Sequence, residues 1–370
     1  MKIASFNIQN LFHRDSVFID GRNNPGRIEW IKEFDNLLLN TNESHSSMDR
    51  LRELSHLLRL DKTDQSPYFT IRRQEGELYI KGMDNQNEIK AEELTNWNGW
   101  IKIHTLPISS SARAHKAQVI KDIDPDILIL QEIEDRMSLE EFNNLILPKV
   151  GYKPFDQCIL IPGSEGKGRE QALLLKNGCV LDSVKLHIIE ASEVPSHELI
   201  EYIIITKERA LIHILSAYFY QNELNIEKAS EVRRQQALGV SRIYKELQFN
   251  SQNNVIIAGT LNAPSYCYSL APLLQNSDLK DITKHISFEV DYDDGIDASY
   301  HRMGAYRKGV NIKQKDFMLL SPALFQTLID SGLNRKAMWP FERPQWANYK
   351  SIKTKKDAAS EHPALWCSLK

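Results

Sequence analysis

Carboxylates, amides, an imidazole and a hydroxyl recur in this chain where apolar runs end. Ser5-Phe6-Asn7-Ile8-Gln9-Asn10 closes the first run, and Gln131-Glu132 follows Ile127-Leu128-Ile129-Leu130. Further on stand Gly259-Thr260-Leu261-Asn262, Lys315-Asp316-Phe317 and Ser360-Glu361-His362-Pro363. A run that reads as a buried strand has no reason to end in Glu, Asn or His unless solvent or a ligand waits there. Polar side chains gathered at strand ends from distant parts of a chain are how layered-sheet enzymes assemble a site. A carboxylate suits a hard cation, and amide or imidazole groups suit anionic oxygens. The chemistry this implies is phosphoester hydrolysis.

Strands and helices must bring those ends together. Residues 2–8 read as a strand, and residues 28–39 as a helical stretch. From Met48 to Leu60 the apolar Leu51, Leu54, Leu57 and Leu58 recur at helical spacing. Tyr68-Phe69-Thr70-Ile71 and Leu78-Tyr79-Ile80 flank Gln74-Glu75-Gly76-Glu77, which predicts a hairpin with a glycine-containing turn. Residues from about 40 to 110 therefore read as a helix-plus-hairpin insertion within one domain spanning residues 1–370. Ser109-Ser110-Ser111 offers N-caps for a helix through Ala117, Val119 and Ile120. Strands are expected at 127–130, 170–176, 202–206, 211–219, 255–258, 317–320 and 364–369, with a short helix near 270–274. Residues 227–247 carry Ala229, Val232, Ala237, Val240, Tyr244 and Leu247 on one helical face.

Bulk properties narrow the partners. With 370 residues, 42% hydrophobic and 26% charged, the chain can bury a large core. A net charge of −3 supplies no global basic field, so nucleic acid stays open as a substrate without support from charge. No apolar run reaches the ~18 residues of a spanning helix, and no cationic leader precedes the first strand. Cys158, Cys179, Cys267 and Cys367 are scattered, which fits a reducing cytoplasm better than a disulfide framework. Oligomeric state leaves no mark in the sequence.

In this order, from Phe6-Asn7 to Ser360-Glu361-His362, the motifs resemble the endonuclease/exonuclease/phosphatase (DNase I-like) superfamily. The resemblance implies a four-layer α/β/β/α sandwich of two packed mixed sheets flanked by helices, with the site at one edge. It also implies a divalent-metal-dependent phosphoester hydrolase using Mg²⁺ or Mn²⁺. By that resemblance Glu132 binds the metal, Asn7 holds a metal-bound water or orients Glu132, and Glu361 stands in the metal-side carboxylate position. Tyr218 falls where relatives carry His or Tyr and can donate to a phosphate oxygen. Asn262 would stabilise phosphoryl charge, Asp316 would orient the site, and His362 would face the phosphate.

Departures from the pattern matter as much. Thr260 occupies the place of an aspartate that activates water, and threonine cannot ionise near neutral pH. Glu361 replaces the Asp of Ser-Asp-His, whose carboxylate would bond one imidazole nitrogen; the extra methylene moves it by about an ångström. Two expectations follow: a hydrolase of reduced activity, or an inactive relative that binds a phosphorylated ligand or a partner protein.

Overall fold

Runs such as Ile127-Leu128-Ile129-Leu130 and Val255-Ile256-Ile257-Ala258 are apolar on both faces because they become central strands covered from both sides. The structure, a computed structural model, describes residues 1–15, 27–39, 45–58, 69–75, 98–103, 105–162, 170–190, 197–221, 226–289, 314–339 and 347–370. Its contacts divide the chain into two units, Met1–Phe12 with Ile108–Lys370, and His13–Pro107.

The first unit holds two mixed sheets. Its strands are β1 (Lys2–Asn7), β2 (Ile127–Ile133), β3 (Gln157–Ile161), β4 (Glu170–Leu175), β5 (Val180–Ile189), β6 (His197–Ile205), β7 (Leu211–Tyr218), β8 (Val255–Thr260), β9 (Lys280–Asp281), β10 (Phe288–Glu289), β11 (Asp316–Leu320), β12 (Leu328–Asn334) and β13 (Ala364–Leu369). Seven strands run in the order β10-β12-β13-β1-β2-β4-β3, and six in the order β9-β11-β8-β7-β6-β5. At the centre of each sheet lies a parallel pair, β1 with β2 and β7 with β8, flanked by antiparallel neighbours.

Three apolar clusters define the layers. Ile3, Ile129, Leu173, Ile214, Ile256, Met318 and Leu365 meet between the sheets. Alternate residues of the same strands, Ala4, Phe6, Leu128 and Leu130, turn outward to α1 (Ser110–Ile123) through Ala117, Val119 and Ile120. Leu215, Ile257 and Leu319 turn the other way to α2 (Ile226–Phe249) through Ala237, Val240 and Tyr244. This is a four-layer α/β/β/α sandwich, two packed mixed sheets with helices outside. Ser109 caps α1 as expected, its hydroxyl accepting from Ala112 N at 3.1 Å.

In the second unit, helices Arg27–Leu39 and His45–Leu57 bury Ile31, Phe34, Leu51 and Leu54. A guanidinium fork from Arg50 to Glu33, 2.7 Å for each arm, ties them together. The partner found for strand Phe69–Glu75, which takes in the first two residues of the expected turn, is Asn98–Ile103, whereas residues 76–80 lie outside the described residues. Among the described residues no helix is long and apolar enough to cross a membrane.

Candidate active site

Glu132 owes its position to a break in the ladder. β2 pairs with β4 at Leu130↔Ala172 and again at Ile133↔Glu170, leaving one extra residue on β2. Glu132 sits in that bulge with a left-handed φ of +59°, its carbonyl taken by Asn10 N at 2.7 Å. A bulge redirects a side chain that a regular strand would send to the opposite face. In the other sheet, Gly259 lets β7 and β8 close up. Its φ is +141°, and a Cβ there would stand 2.0 Å from the Ala217 carbonyl oxygen. The next residue on β8 is Thr260.

From these strand ends a continuous run of hydrogen bonds crosses from one sheet to the other. Tyr218 OH donates to Glu132 Oε1 at 2.9 Å, and Asn7 Nδ2 donates to the same oxygen at 3.0 Å. Asn7 Nδ2 also reaches Thr260 Oγ1 at 3.2 Å, and Thr260 Oγ1 donates to Asp316 Oδ1 at 2.7 Å. His362 Nδ1 then lies 2.9 Å from each Asp316 oxygen. A carboxylate accepts only, so Nδ1 carries the proton and the tautomer is fixed. Asn7 and Thr260 are 1% and 0% exposed, so the middle of the run is sealed. Both its ends carry open valences: among the described residues, no hydrogen bond reaches Glu132 Oε2 or His362 Nε2.

Charge sets the state of the imidazole. Burial alone would depress the His362 pKa, but the Asp316 charge and hydrogen bond, with Glu132 behind them, hold it above its ordinary value. The ring therefore keeps its second proton further into the neutral range than a free histidine.

Tyr218, Glu132, Asn7, Thr260, Asp316 and His362 are thus brought into one network, while the remaining two expected residues have other partners. Asn262, at φ +52°, donates through Nδ2 to the Phe219 carbonyl at 2.7 Å, pinning the chain just beyond Tyr218. Glu361 differs from expectation. Its backbone N–H is held by Gln9 Oε1 at 2.8 Å, and its exposed carboxylate lies 3.1 Å from Lys355. The carboxylate on His362 is Asp316 instead. Thr260, expected where water would be activated, lies with its hydroxyl buried between two partners. Arg233, on α2, donates to the Tyr220 carbonyl at 3.2 Å.

Several supporting residues escaped the sequence reading. Ser360 Oγ donates to the Asn7 carbonyl at 2.7 Å and accepts from His362 N at 3.1 Å. Glu134 takes the backbone N–H groups of Leu11 and Phe12 at 2.6 and 2.5 Å. Lys116 is fully buried and donates to the carbonyls of Ile8 and Ala359. Its signal was legible: it interrupts the apolar stripe Ala112, Val119, Ile120 and Ile123 of α1.

The donor set accommodates a hard cation sparingly. Among the described residues, no group of three or more His, Cys, Asp or Glu side chains is arranged to hold a metal. Asn7 turns its NH₂ toward Glu132, and its Oδ1 accepts from Gln9 N at 3.2 Å, so its amide braces the carboxylate. What remains is the open Glu132 Oε2. One carboxylate suffices for Mg²⁺ when phosphate oxygens and water complete the shell.

No protein-family model matches the chain, and no curated protein matches it. Similar solved structures include a mannosyl-6-phosphatase of Bacteroides thetaiotaomicron VPI-5482, 15% identical, covering 70% of this chain and 90% of that one at a TM-score of 0.47. The 3'-5' exonuclease NExo of Neisseria meningitidis is 16% identical over 70% of this chain and 96% of its own, TM-score 0.42. The human Nocturnin catalytic domain is 15% identical over 71% and 88%, TM-score 0.41. At these values the likeness carries no argument, and what stands is the architecture itself: a four-layer α/β/β/α sandwich with a polar network at one set of strand ends.

Proposed function

We propose that the chain is a divalent-metal-dependent phosphoester hydrolase, slowed by the absence of an ionisable group at Thr260. The observation that supports this best is the unbroken run from Tyr218 to His362 with Glu132 Oε2 open at one end and His362 Nε2 at the other. Glu132 would hold Mg²⁺ or Mn²⁺, which when bound supplies positive charge for the phosphoryl oxygens. Asn7 and Tyr218 fix the Glu132 carboxylate. Asp316 fixes the His362 tautomer, which leaves Nε2 for the substrate, and holds the imidazole pKa above its ordinary value.

In the reaction the oxygen of water bonds phosphorus while the ester P–O bond breaks. His362 Nε2 gives its proton to the departing alkoxide and takes one back from solvent after product leaves, while the attacking water sheds its proton to solvent. Thr260 cannot take that proton, so water is activated by no side chain of the run. Losing a general base costs about 10²–10⁴-fold, which leaves measurable hydrolysis.

A silent phosphate-binding module is the second reading. It is favoured by the two departures, Thr260 sealed between Asn7 and Asp316, and Glu361 drawn to Lys355. Hydrolysis of bis-p-nitrophenyl phosphate, plasmid DNA, RNA and phosphoinositides with Mn²⁺, alongside Glu132→Gln, separates the two. Turnover by the wild type that vanishes in Glu132→Gln supports the hydrolase. Phosphate binding with no turnover on any substrate leaves the module.

A further inference from the structure

α1 carries the segment that ends in His362. Ser109 Oγ donates to the Lys356 carbonyl at 2.8 Å, and Ser111 Oγ to the Asp357 carboxylate at 2.6 Å. His115 bonds the Asp357 carbonyl and the Ser351 hydroxyl, 2.6 Å each, and stacks on Tyr349 with ring centroids 5.7 Å apart. One residue further, Lys116 reaches beyond this segment. Its ammonium donates to Ala359 O, just before Ser360-Glu361-His362, and to Ile8 O, just after Asn7.

Those two carbonyls belong to the two loops that place the opposite arms of the site. The same loops are tied again by Ser360 Oγ to the Asn7 carbonyl and by Glu361 N to Gln9 Oε1. Gln9 and Asn10 hold left-handed φ values of +51° and +61°, a conformation that needs support from its surroundings. A strand-end carbonyl turned away from the ladder needs a donor. An ammonium buried at 0% exposure is costly unless fully hydrogen-bonded, and packing alone would be served by Met at less cost.

We propose that Lys116 is a positioning residue: a buried cation that holds the Asn7 loop and the His362 loop at the separation at which they grip one phosphoryl group. This rests on the phosphoester reading above. Displacements of about an ångström at such a site can cost about a hundredfold, so a loosened clasp is measurable.

The test compares Lys116→Met, Lys116→Arg and Lys176→Met, the last removing a buried lysine at the other end of the strands. Inorganic phosphate is titrated with Mg²⁺ present while the His362 Cε1–H resonance is followed, with unfolding curves recorded for each variant. In Lys116→Met the resonance is expected to move in the free protein and half-saturation by phosphate to rise about tenfold, with Lys116→Arg within about threefold of wild type. Lys176→Met is expected to lose stability and change neither. A folded Lys116→Met with wild-type resonance and phosphate affinity overturns the proposal.

Should Lys116→Met not fold, the wild-type lysine Nζ signal that Lys116→Arg removes decides the matter. It must shift with phosphate at the same half-saturation as His362, and an unmoved signal overturns the proposal. If the wild type binds no phosphate, the phosphoester reading falls first and hydrogen exchange tests the clasp by itself. Faster exchange confined to residues 8–10 and 359–362 in Lys116→Met, or the same pattern in Lys116→Ala if Met does not fold, supports it; unchanged exchange there overturns it.

Discussion

The central strands have a buried lysine at each end, and the two are used differently. At the end away from the site, Lys176 Nζ meets Asp124 Oδ1 at 2.5 Å and Tyr152 OH at 2.7 Å, and lies 4.4 Å from the centre of the Tyr152 ring. Around it Asp126 takes Lys2 N at 2.8 Å and Asn177 Nδ2 at 2.6 Å, and Lys2 Nζ caps the Ile123 carbonyl at 2.8 Å. Opposite charges lie side by side and donors meet acceptors. At the site end, Lys116 gives its ammonium to backbone carbonyls, and the carboxylate and imidazole nearby keep open atoms. One end is closed for stability. The other holds its polar groups in place without closing them, which is what a ligand requires.

The contrast breaks most sharply at Glu132. Glu132→Gln keeps the bonds from Asn7 and Tyr218 within reach but removes the charge on the open oxygen. We expect a loss of about a thousandfold in kcat/KM on bis-p-nitrophenyl phosphate and loss of Mn²⁺ binding by calorimetry, with the unfolding midpoint unchanged. Mn²⁺ binding that survives Glu132→Gln would remove Glu132 from its role.

Asp316→Asn comes next, at about a hundredfold in kcat. It withdraws the charge that holds the His362 pKa up, so the alkaline limb of the rate profile should move to lower pH. Stability gives an independent reading. A histidine with a raised folded pKa contributes stability that is full below its unfolded value, about 6.5, and is lost as pH rises through the folded value. The difference in stability between wild type and Asp316→Asn should therefore be larger at pH 5 than at pH 9, apart from any pH-independent cost of the lost bonds.

At the closed end, Lys176→Met should leave turnover untouched and cost about 2 kcal/mol, roughly thirtyfold in the folding equilibrium. That is less than a fully buried pair, because the Asp124 side chain is 65% exposed. Burial pushes the Asp124 carboxyl up, but the Lys176 bond outweighs it and holds the group below its usual range. Such a carboxylate contributes stability above its unfolded pKa and loses it as pH falls through the folded value. Acid should narrow the gap between wild type and Lys176→Met, and a gap that widens in acid would mean the pair is not what stabilises this end.

The two ends were also unequally legible in sequence. Strand ends that bear Glu132, Thr260 and Asp316 announce themselves, because an apolar run broken by a polar residue is a local pattern. β5 does not. It is an edge strand, its pairing with β6 shifts around Asp182, and Leu186 and Ile188 are about half exposed, so neither alternation nor a continuous apolar run survives. β12 is similarly disguised by the register shift between Leu328 and Asp330. Within the site, types and neighbourhood could be read but partners could not. That Asp316 rather than Glu361 meets His362 depends on which way loop 359–362 turns, and Gln9 and Lys116 set that turn from far along the chain.

The smallest effect we expect, and the one that bears most directly on the reading, is at Thr260. Its hydroxyl accepts from Asn7 and donates to Asp316, and it is fully buried. An ionised aspartate at 260 could keep the first bond but not donate the second, and it would face the Asp316 carboxylate in a sealed place. Two such carboxylates share a proton, so Thr260→Asp gains no base until that proton leaves. We therefore expect about a tenfold gain in rate on the alkaline side, none near pH 6, and a modest loss of stability from the crowded charge. A variant that gains equally at every pH would mean the position opens to solvent and the run of bonds is looser than described. One that gains nowhere up to about pH 9 would mean that water is activated elsewhere, and that the missing aspartate is not what separates this site from a fast one.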